Sequence, residues 1–523
     1  MEINIYKKKL SRVKSRIAYV YPSLYKVMIS GLSTDIVYHL LNSKEEIYVE
    51  RFHCSKITGI EEEPRSLETS SKLRDFPLIL TTLHYEPDIV NLIRLLIGSN
   101  IEVFSSKRRD HVIIAGGPVV MENPVTYSDI IDAFVIGEAE TTLDEIINLW
   151  LEHSDSKLRF LEELSNLEYV YVPGYTNRKT RRKITENLDS AFYPVKQVEN
   201  THIEPIYGRG FKLEVSRGCL FWCGFCIETR VFQPYRERSL HVLKEIINKG
   251  SSYSIESRRL VLYSLVFPVS STHLKLLEHL VLEGFKAALP SLRISKYLDD
   301  SLDYIRLLGQ KTLTIAVESF SPSIQSMICK YPCLLGYVND FIKNAIMKEF
   351  DIKIYLIYGF KGINVEEIKH EIEEIRKIAK LAKDHGSRVI ISLNPLVPKP
   401  HTPFQWIGMS NQDRLKKILG FYKSSLKGLV ESRLYDIDWA IIQAQLALSS
   451  KPLGEFILKW SLNGGGLSAW RRTIRESNID FKYVFDGYEI DEHLPWEFIE
   501  MDNNVDKVTR AQYEILRKIV RFT

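Results

Sequence analysis

The sequence has few cysteines, no long apolar run and almost no net charge, and each shortage excludes a class of protein. Six cysteines in 523 residues are too few for a disulfide-stapled fold. No apolar run approaches the roughly 20 residues that span a bilayer, so we expect no transmembrane segment. The 70 basic and 66 acidic residues leave a net charge of +4. No overall field therefore favours a nucleic acid or a membrane surface.

The amino-terminal residues carry no secretory pattern. Lys7, Lys8 and Lys9 are followed by no long apolar region. Together with the low cysteine content, this predicts a reducing, cytoplasmic location. The length and the 45% hydrophobic composition allow more than one buried core, so we expect roughly two to four domains.

Three of the six cysteines stand together after a short apolar run, in the segment LEVSRGCLFWCGFCIE (213–228). Cys219, Cys223 and Cys226 have C-x3-C-x2-C spacing on a loop that two glycines mark. Three thiolates so spaced can bind three irons of a cubane cluster, which leaves the fourth iron open for chemistry. One alternative is a structural zinc site, for which His241 is poorly spaced as a fourth ligand. The other is a plain group of buried thiols.

Cys329 and Cys333 lie outside this triplet, in a loop after a later strand. Two thiols cannot by themselves hold a second cubane. We expect free thiols or an opportunistic disulfide.

Residues 1–155 show short β-branched runs that alternate with longer amphipathic segments, which predicts a doubly wound, Rossmann-like parallel sheet flanked by helices. The predicted strands are 17–21, 48–53, 78–83, 112–115 and 133–136, and the predicted helices are 24–41, 87–97 and 142–151. Ligands of such sheets bind at the carboxyl ends of the strands. Thr82, Gly116, Gly117 and Gly137 fall there and are our cofactor-binding candidates. The alternative is that the glycines only form strand-to-helix turns.

Residues 156–210 are predicted to be a connector that contains a helix at 158–167 and a basic run at 178–183. A charge run between two strand-like pieces is typical of a solvated hairpin, and a nucleic-acid contact is the alternative.

Residues 211–408 contain six strand-like runs that alternate with helices, which predicts a partial parallel (β/α)6 barrel with its reactive face at the carboxyl ends of the strands. The strands after the first are predicted at 259–267, 287–295, 312–319, 352–358 and 388–395. Arg293 and Glu318 fall at the third and fourth strand ends and are our catalytic candidates, with a buried ion pair between them as the alternative. Residues 409–523 are predicted to be mostly helical and to cap the barrel mouth.

With Phe225 directly before the last cysteine, the triplet resembles the C-x3-C-x-aromatic-C signature of radical S-adenosylmethionine (SAM) enzymes. The resemblance implies a 4Fe-4S cluster on the three cysteines, with Phe225 beside it, and SAM bound at the open iron. It also implies reductive cleavage of SAM to methionine and a 5′-deoxyadenosyl radical, with electrons from a ferredoxin-type or flavodoxin-type protein. Ser264 stands where many relatives carry a Gly-Gly-Glu, and Gly359 and Asn394 at later strand ends complete the SAM-binding candidates.

A second resemblance covers most of the chain. AGGP (115–118) followed by DAFVIGEAETTLDEI (132–146) resembles the amino-terminal cobalamin-binding domain of one large branch of radical SAM proteins. VPKPHTPFQW (397–406) and HLPW (493–496) resemble a largely uncharacterised group in that branch. The resemblance implies cobalamin as a third cofactor. The D-x-H-x-x-G motif is absent, so we expect the cobalt to have no imidazole from the protein below it.

The implied reaction is cobalamin-assisted methyl transfer to an unactivated carbon of an unidentified substrate. Two alternatives remain at this point. One is a cobalamin-free radical cyclisation, C–C coupling or rearrangement of a lipid or natural product. The other is an RNA-modifying or nucleic-acid-binding protein that uses the basic run at 178–183, against which the lack of a recognisable RNA-binding appendage counts.

Overall fold

Parallel strands dominate the computed structural model, which describes residues 1–330, 335–477, 479–501 and 503–521. The strands of the amino-terminal part are β1 (Glu2–Ile3), β2 (Ser15–Leu24), β3 (Ile47–Cys54), β4 (Leu78–Thr82), β5 (Val112–Gly116), β6 (Ala133–Val135), β7 (Val170–Tyr171), β8 (Thr180–Arg181) and β9 (Glu199–Asn200). Its helices are α1 (Tyr25–Met28), α2 (Leu32–Asn42), α3 (Asp88–Gly98), α4 (Pro118–Glu122), α5 (Ala139–His153) and α6 (Lys157–Ser165).

The amino-terminal sheet has the strand order β3-β2-β4-β5-β6-β7, and all pairs are parallel except the last. Successive side chains of β2 point to opposite faces. Ile17 and Tyr19 pack in the core under α2, α5 and α6, and Ala18 and Val20 pack in the core under α3. Helices therefore cover both faces, as the predicted doubly wound fold requires.

The predicted helix at 24–41 is wrong at its start. Leu24 ends β2, and only the short α1 precedes a break at Gly31, whose backbone is extended before α2 begins. The apolar spacing continues across this break, although Met28 and Ile29 pack in a small cluster with Tyr21, whereas α2 packs in the core that contains Tyr19. Periodicity alone therefore gave one helix where the chain has a strand end and two helices.

The barrel strands are β10 (Phe211–Glu214), β11 (Ser216–Arg217), β12 (Arg236–Glu237), β13 (Arg259–Tyr263), β14 (Lys286–Ala288), β15 (Thr312–Glu318), β16 (Asp351–Tyr358) and β17 (Val389–Pro395). The helices are α7 (Glu228–Val231), α8 (Leu240–Gly250), α9 (Ser271–Leu282), α10 (Lys296–Leu307), α11 (Pro322–Met327), α12 (Leu335–Met347) and α13 (Val365–Asp384). Two parallel sheets, β10-β13-β14 and β15-β16-β17, form the wall. Bridges from Leu292 to Phe267 and Ile315 join them, so the six predicted βα strands form one partial barrel.

A seventh parallel strand, β18 (Glu431–Leu434), pairs with β17. It lies in the region that we predicted to be helical. All four of its residues are exposed, so it lacks the apolar alternation by which strands are recognised. Its charged side chains are typical of a sheet edge.

The remaining carboxy-terminal elements are α14 (Gln412–Leu426), α15 (Ile437–Ala447), α16 (Gly454–Leu462), α17 (Leu467–Glu476), α18 (Lys482–Asp486), β19 (Ile499–Glu500) and α19 (Asn503–Arg521). These helices bridge the two domains rather than only capping the barrel. Asn123 Nδ2 donates hydrogen bonds to the carbonyl oxygens of Ala447 and Ser449, each at 2.9 Å. Thr126 Oγ1 donates to Leu446 at 2.8 Å, and α16 packs on α3.

The basic run is largely solvated, since Arg178, Lys179 and Arg181 are exposed, but it does not form the hairpin that we predicted. Its strand β8 pairs in parallel with β19. Arg182 is buried and donates hydrogen bonds to the carbonyl oxygens of Arg230, Val231 and Gln233. A guanidinium carries five donors, so it can satisfy several carbonyls at the end of a helix. This arginine therefore stabilises the backbone at the end of α7 and is not available to a nucleic acid.

Six charged side chains pair where the amino-terminal sheet meets the barrel, and we call them the interdomain ion-pair network: Glu138, Glu140, Glu214, Arg217, Arg236 and Arg238. Arg217 alone makes three pairs, at 2.8 Å to Glu138, 2.7 Å to Glu140 and 2.8 Å to Glu214. Arg236 pairs with Glu138 at 2.8 Å and Arg238 with Glu214 at 3.0 Å. Three positive and three negative charges thus balance in a mostly buried contact.

We predict that Glu138→Gln weakens this contact by about 3 kcal/mol, since it leaves arginines underpaired in a buried site. Burial alone would raise the pKa of Glu138, but the charges of Arg217 and Arg236 outweigh it and hold that pKa below its usual 4.5. The stabilisation is therefore fully present above about pH 4.5 and is lost as the pH falls through the lowered pKa. Urea unfolding of the wild-type and Glu138→Gln proteins is measured from pH 7 downward. The difference between their free energies of unfolding should narrow below pH 4.5.

Asp144→Asn, on the same helix, is the matched control. Asp144 makes an exposed pair with Lys44 at 3.1 Å, and such pairs contribute about 0 to 1 kcal/mol. Equal losses of unfolding free energy in Glu138→Gln and Asp144→Asn would contradict a stabilising role for the interdomain ion-pair network.

Candidate active site

The cysteine loop lies between β11 and α7, at the carboxyl end of the first barrel strand. Its first turn requires Gly218, because φ is +82° there and a Cβ would lie 2.5 Å from the carbonyl oxygens of Phe232 and Pro234. Cys219 and Cys223 are buried and Cys226 is half-buried. The loop is thus tightly placed, as a cluster-binding loop must be.

Side chains and backbone from outside the loop hold it. Gly224 N donates a hydrogen bond of 2.7 Å to the carbonyl oxygen of Ile328, just after α11. Gln233 Nε2 donates to Cys219 O at 2.8 Å, and Arg230 Nη1 donates to Cys226 O at 2.9 Å. These contacts fix the carbonyls and leave the sulfurs to a ligand.

Burial raises the pKa of the Cys219 thiol, and it raises that of Cys226 to about 12. Without a metal these two thiols are therefore protonated at neutral pH, and their binding to iron must release protons. Arg293 Nη1 lies 3.8 Å from Cys223 Sγ, and its guanidinium stacks 3.5 Å from the ring centroid of Phe221. A fixed positive charge here stabilises a thiolate.

The donor set fits a cubane better than a single ion. In the part of the chain that the structure describes, no three His, Cys, Asp or Glu side chains are arranged around one metal position. A zinc site needs that arrangement, with all ligands around one ion. In a cubane each thiolate binds its own iron, so the sulfurs stand farther apart.

Glu318 ends β15 with a φ of +69°, which is unusual for a residue other than glycine. Its carboxylate accepts a hydrogen bond of 2.9 Å from Lys330 Nζ, and both side chains are buried. Lys330 also donates to the carbonyl oxygen of Ala316. Glu318 therefore pairs with Lys330 and not, as in the alternative that we considered, with Arg293. Arg293 is directed at the cysteine loop.

The predicted SAM-binding residues lie at or near the carboxyl ends of barrel strands. Ser264 Oγ is 2.7 Å from Ser216 Oγ and donates to Val266 O, so it also closes a local turn. Gly359 follows β16 with a φ of +86°. Asn394 stands next to the end of β17, and Phe225 packs half-buried against the core.

A cavity of about 550 Å³ separates the amino-terminal sheet from the barrel. Its lining is mostly apolar and includes all four amino-terminal candidates, Thr82, Gly116, Gly117 and Gly137, together with Ser264 of the barrel. The carboxyl ends of the amino-terminal strands and of the first two barrel strands therefore face one space, which we call the interdomain cavity. The other barrel candidates do not line it: Cys219, Cys223, Cys226, Arg293, Glu318, Gly359 and Asn394.

The three candidate glycines that line this cavity have different roles. A Cβ on Gly117 would lie 2.6 Å from Leu83 O, and one on Gly137 would lie 2.5 Å from Lys183 O. The alternative, that the glycines only form turns, holds for Gly117 and Gly137, because any side chain there would collide with the backbone of the protein itself. A Cβ on Gly116 would meet nothing within 4 Å, so only Gly116 leaves room for a ligand.

Four residues of this region escaped the sequence reasoning or stayed unassigned. Arg217 stands two residues before Cys219, and this adjacency is the one signal that was available for it. His84 of the interdomain cavity and Lys330 carry no local pattern. Cys329 is a buried free thiol, and Cys333 lies outside the described residues.

Comparison with known proteins places this architecture. Residues 33–173 match the family described as radical SAM proteins, N-terminal, and residues 213–375 match the radical SAM superfamily. An uncharacterized protein of Methanocaldococcus jannaschii, MJ0966, is 28% identical over 446 residues, which are 84% of this chain and 90% of that protein.

Two solved structures share the fold across most of the chain. The radical SAM methyltransferase TsrM from Kitasatospora setae, with cobalamin and a 4Fe-4S cluster bound, has a TM-score of 0.52 at 10% identity and covers 89% of this chain and 100% of that one. The cobalamin-dependent SAM radical enzyme OxsB, with aqua-cobalamin and SAM bound, has a TM-score of 0.51 at 13% identity and covers 97% and 80%.

A radical SAM barrel behind an N-terminal α/β domain, with three cysteines at its first strand end, defines the class of this protein. The chain belongs to the radical SAM superfamily and is a radical SAM enzyme. Among the described residues, no helix combines the length and apolarity that crossing a membrane requires.

We predict that Cys223→Ala abolishes SAM cleavage in anaerobically reconstituted protein, because the loop then supplies only two thiolates to the cluster. Cys329→Ala is the matched control and should retain both iron and cleavage, since its buried thiol is no ligand. Iron, sulfide and released 5′-deoxyadenosine are measured in the same samples. Full SAM cleavage by Cys223→Ala, or a sample that contains zinc and no iron, would contradict the assignment of the three cysteines as cluster ligands.

We further predict that Glu318→Gln weakens SAM binding about 10- to 100-fold, the effect of losing a charge-assisted hydrogen bond of about 1.5 to 3 kcal/mol. Lys330→Met separates this role from the ion pair. If Glu318 serves only Lys330, both variants lower the melting temperature and leave SAM affinity unchanged. Equilibrium binding of SAM and thermal unfolding, measured on both variants, decide between the two.

Proposed function

We propose that this enzyme cleaves SAM reductively at a 4Fe-4S cluster and transfers a methyl group to an unactivated carbon by way of a corrinoid in the interdomain cavity. The observation that carries the proposal is that the strand ends of the amino-terminal sheet and those of the first two barrel strands line one cavity. Ligands of doubly wound sheets and of βα barrels bind at these ends. A cofactor shared by both domains requires this meeting of faces.

The lining of the cavity supports a corrinoid. Its volume of about 550 Å³ lies within the roughly 300 to 1,000 Å³ of cofactor pockets. The mostly apolar walls suit a large macrocycle, and the backbone at Gly116 can be approached closely. A bound corrinoid would supply a carrier for the methyl group between SAM and substrate. TsrM and OxsB, which share this fold, bind cobalamin according to their structures.

The chain's own residues have distinct roles in this proposal. Cys219, Cys223 and Cys226 hold the cluster, and Arg293 lies beside the Cys223 sulfur. Glu318, held by Lys330, offers a carboxylate to SAM. The amino-terminal domain covers this region, and limiting the access of water there reduces side reactions of reactive intermediates. Electrons come from a ferredoxin-type or flavodoxin-type protein.

We predict that the wild-type protein retains corrinoid after reduction with excess hydroxocobalamin and gel filtration, and that Gly116→Val does not. The added side chain fills space in the cavity without meeting the protein itself. Gly117→Val is a poor test, because its side chain would clash with Leu83 O whatever the cavity holds. Corrinoid absorbance and cluster content are measured on the same fractions.

Gly420→Val is the matched control, since Gly420 lies in α14, away from the cavity, and a Cβ there also meets nothing within 4 Å. It should retain corrinoid. Cluster content and uncoupled SAM cleavage should be intact in both variants. If the wild-type protein retains no corrinoid, the proposed corrinoid-dependent methyl transfer is wrong, and cobalamin-free radical chemistry is favoured instead.

A further inference from the structure

His84 is a histidine of the interdomain cavity that no sequence motif marks. It follows β4 on the way into α3, two residues beyond Thr82. Its side chain is exposed and lines the cavity. The imidazole stacks on Tyr21, with ring centroids 5.7 Å apart and an interplanar angle of 28°. The ring is therefore held in place while one side remains open to a ligand.

Only one nitrogen of this ring is used within the protein. Nε2 lies 3.1 Å from Thr82 Oγ1 and 3.4 Å from Ser33 Oγ. Nδ1 has no hydrogen-bond partner among the residues that the structure describes. An imidazole that binds a metal characteristically uses its second nitrogen for an orienting hydrogen bond. In His84, Nε2 makes the orienting hydrogen bond, and Nδ1 is the nitrogen that could bind a metal.

The uncharged form of the His84 ring is the one that can bind a metal. The surrounding walls of the cavity shift the pKa of His84 below its usual value, which favours this form. A neutral imidazole carries a free lone pair at neutral pH and is a good ligand for cobalt and similar metals.

The other polar groups of the lining are less suited to this role. The carboxylates of Glu138, Glu140 and Glu214 are paired with arginines of the interdomain ion-pair network. No second histidine occurs among the residues that line the cavity in the described parts of the chain. His84 is thus the one nitrogen ligand that this lining offers to a metal.

We propose that His84 is the axial nitrogen ligand of the cobalt when a corrinoid occupies the interdomain cavity. This inference rests on the proposed function and deepens it. It changes the expectation drawn from the missing D-x-H-x-x-G motif, because a histidine from another loop, after β4, replaces the motif's imidazole. Thr82 and Tyr21 act as positioning residues that orient the ring.

The test uses full-length protein whose histidines carry the heavy nitrogen isotope, loaded with unlabelled hydroxocobalamin and reduced to the cob(II) state. Electron paramagnetic resonance then reports the axial nitrogen directly. A labelled histidine, with nuclear spin one half, splits the cobalt lines into doublets. The benzimidazole of cobalamin itself, which remains unlabelled, splits them into triplets. The readout is independent of catalysis.

The expected result is doublets in the wild-type protein and their loss in His84→Ala and in His84→Gln. Both variants should still retain corrinoid, because the walls of the cavity are mostly apolar. His111→Ala is the matched control and should keep the doublets, since His111 lies outside the cavity and contacts Arg74 O at 3.0 Å. Cluster content and gel-filtration profile show that each variant is folded.

Three outcomes would overturn the inference, and they separate it from the function on which it rests. Triplets in the labelled protein would assign the ligand to the cofactor's own base. Retained corrinoid without nitrogen splitting would mean that no imidazole is bound. Doublets that persist in both His84 variants would assign another histidine. If the wild-type protein retains no corrinoid, the proposed function itself fails and this inference with it.

Discussion

Arg217 is the side chain on which the arrangement of the two domains depends. It is about one-tenth exposed and makes ion pairs with Glu138 and Glu140 of the amino-terminal domain and with Glu214 of the barrel. A buried charge that loses its partner costs several kcal/mol, so none of these groups tolerates separation of the domains. The network is weak evidence for overall stability, because a well-packed apolar contact would serve as well. What it adds is a single geometry, since each carboxylate oxygen must meet a particular donor.

The same residue links docking to chemistry. Arg217 precedes Cys219 by two residues, and Gly218 between them has no freedom to adjust, because Phe232 O and Pro234 O enclose it. A shift of the amino-terminal domain would therefore be transmitted to the cluster loop over one rigid turn. The GEAE and SRGC segments, which sequence analysis treated as signs of two separate domains, are two halves of one contact.

The sequence predicted those parts of the fold whose signal is local. Buried parallel strands such as β2 and β4 are apolar runs, and the cysteine triplet lies within eight residues of sequence. The exposed edge strand β18 and the buried Arg182 were missed because each contradicts the usual link between polarity and exposure. The partner of Glu318 and the pairing of Glu138 and Glu140 with Arg217 could not be predicted, since they depend on which segments meet in space. Nor does sequence distinguish Gly116, open to the cavity, from Gly117, enclosed by its own backbone.

Three distant parts of the chain meet at the cysteine loop. From the amino-terminal domain, Glu138 and Glu140 pair with Arg217 at the start of the loop. From the barrel, Ile328 after α11 accepts a hydrogen bond from the loop. From the carboxy-terminal side, Arg230 of α7 donates to Gln512 of α19 at 2.7 Å and to His401 O at 3.3 Å. A loop fixed from all three sides cannot move alone, so a change in the distance between cluster and cavity requires the domains themselves to move. These contacts therefore fix the distance between the cysteine loop and the interdomain cavity, which suits the methyl transfer that we propose between them.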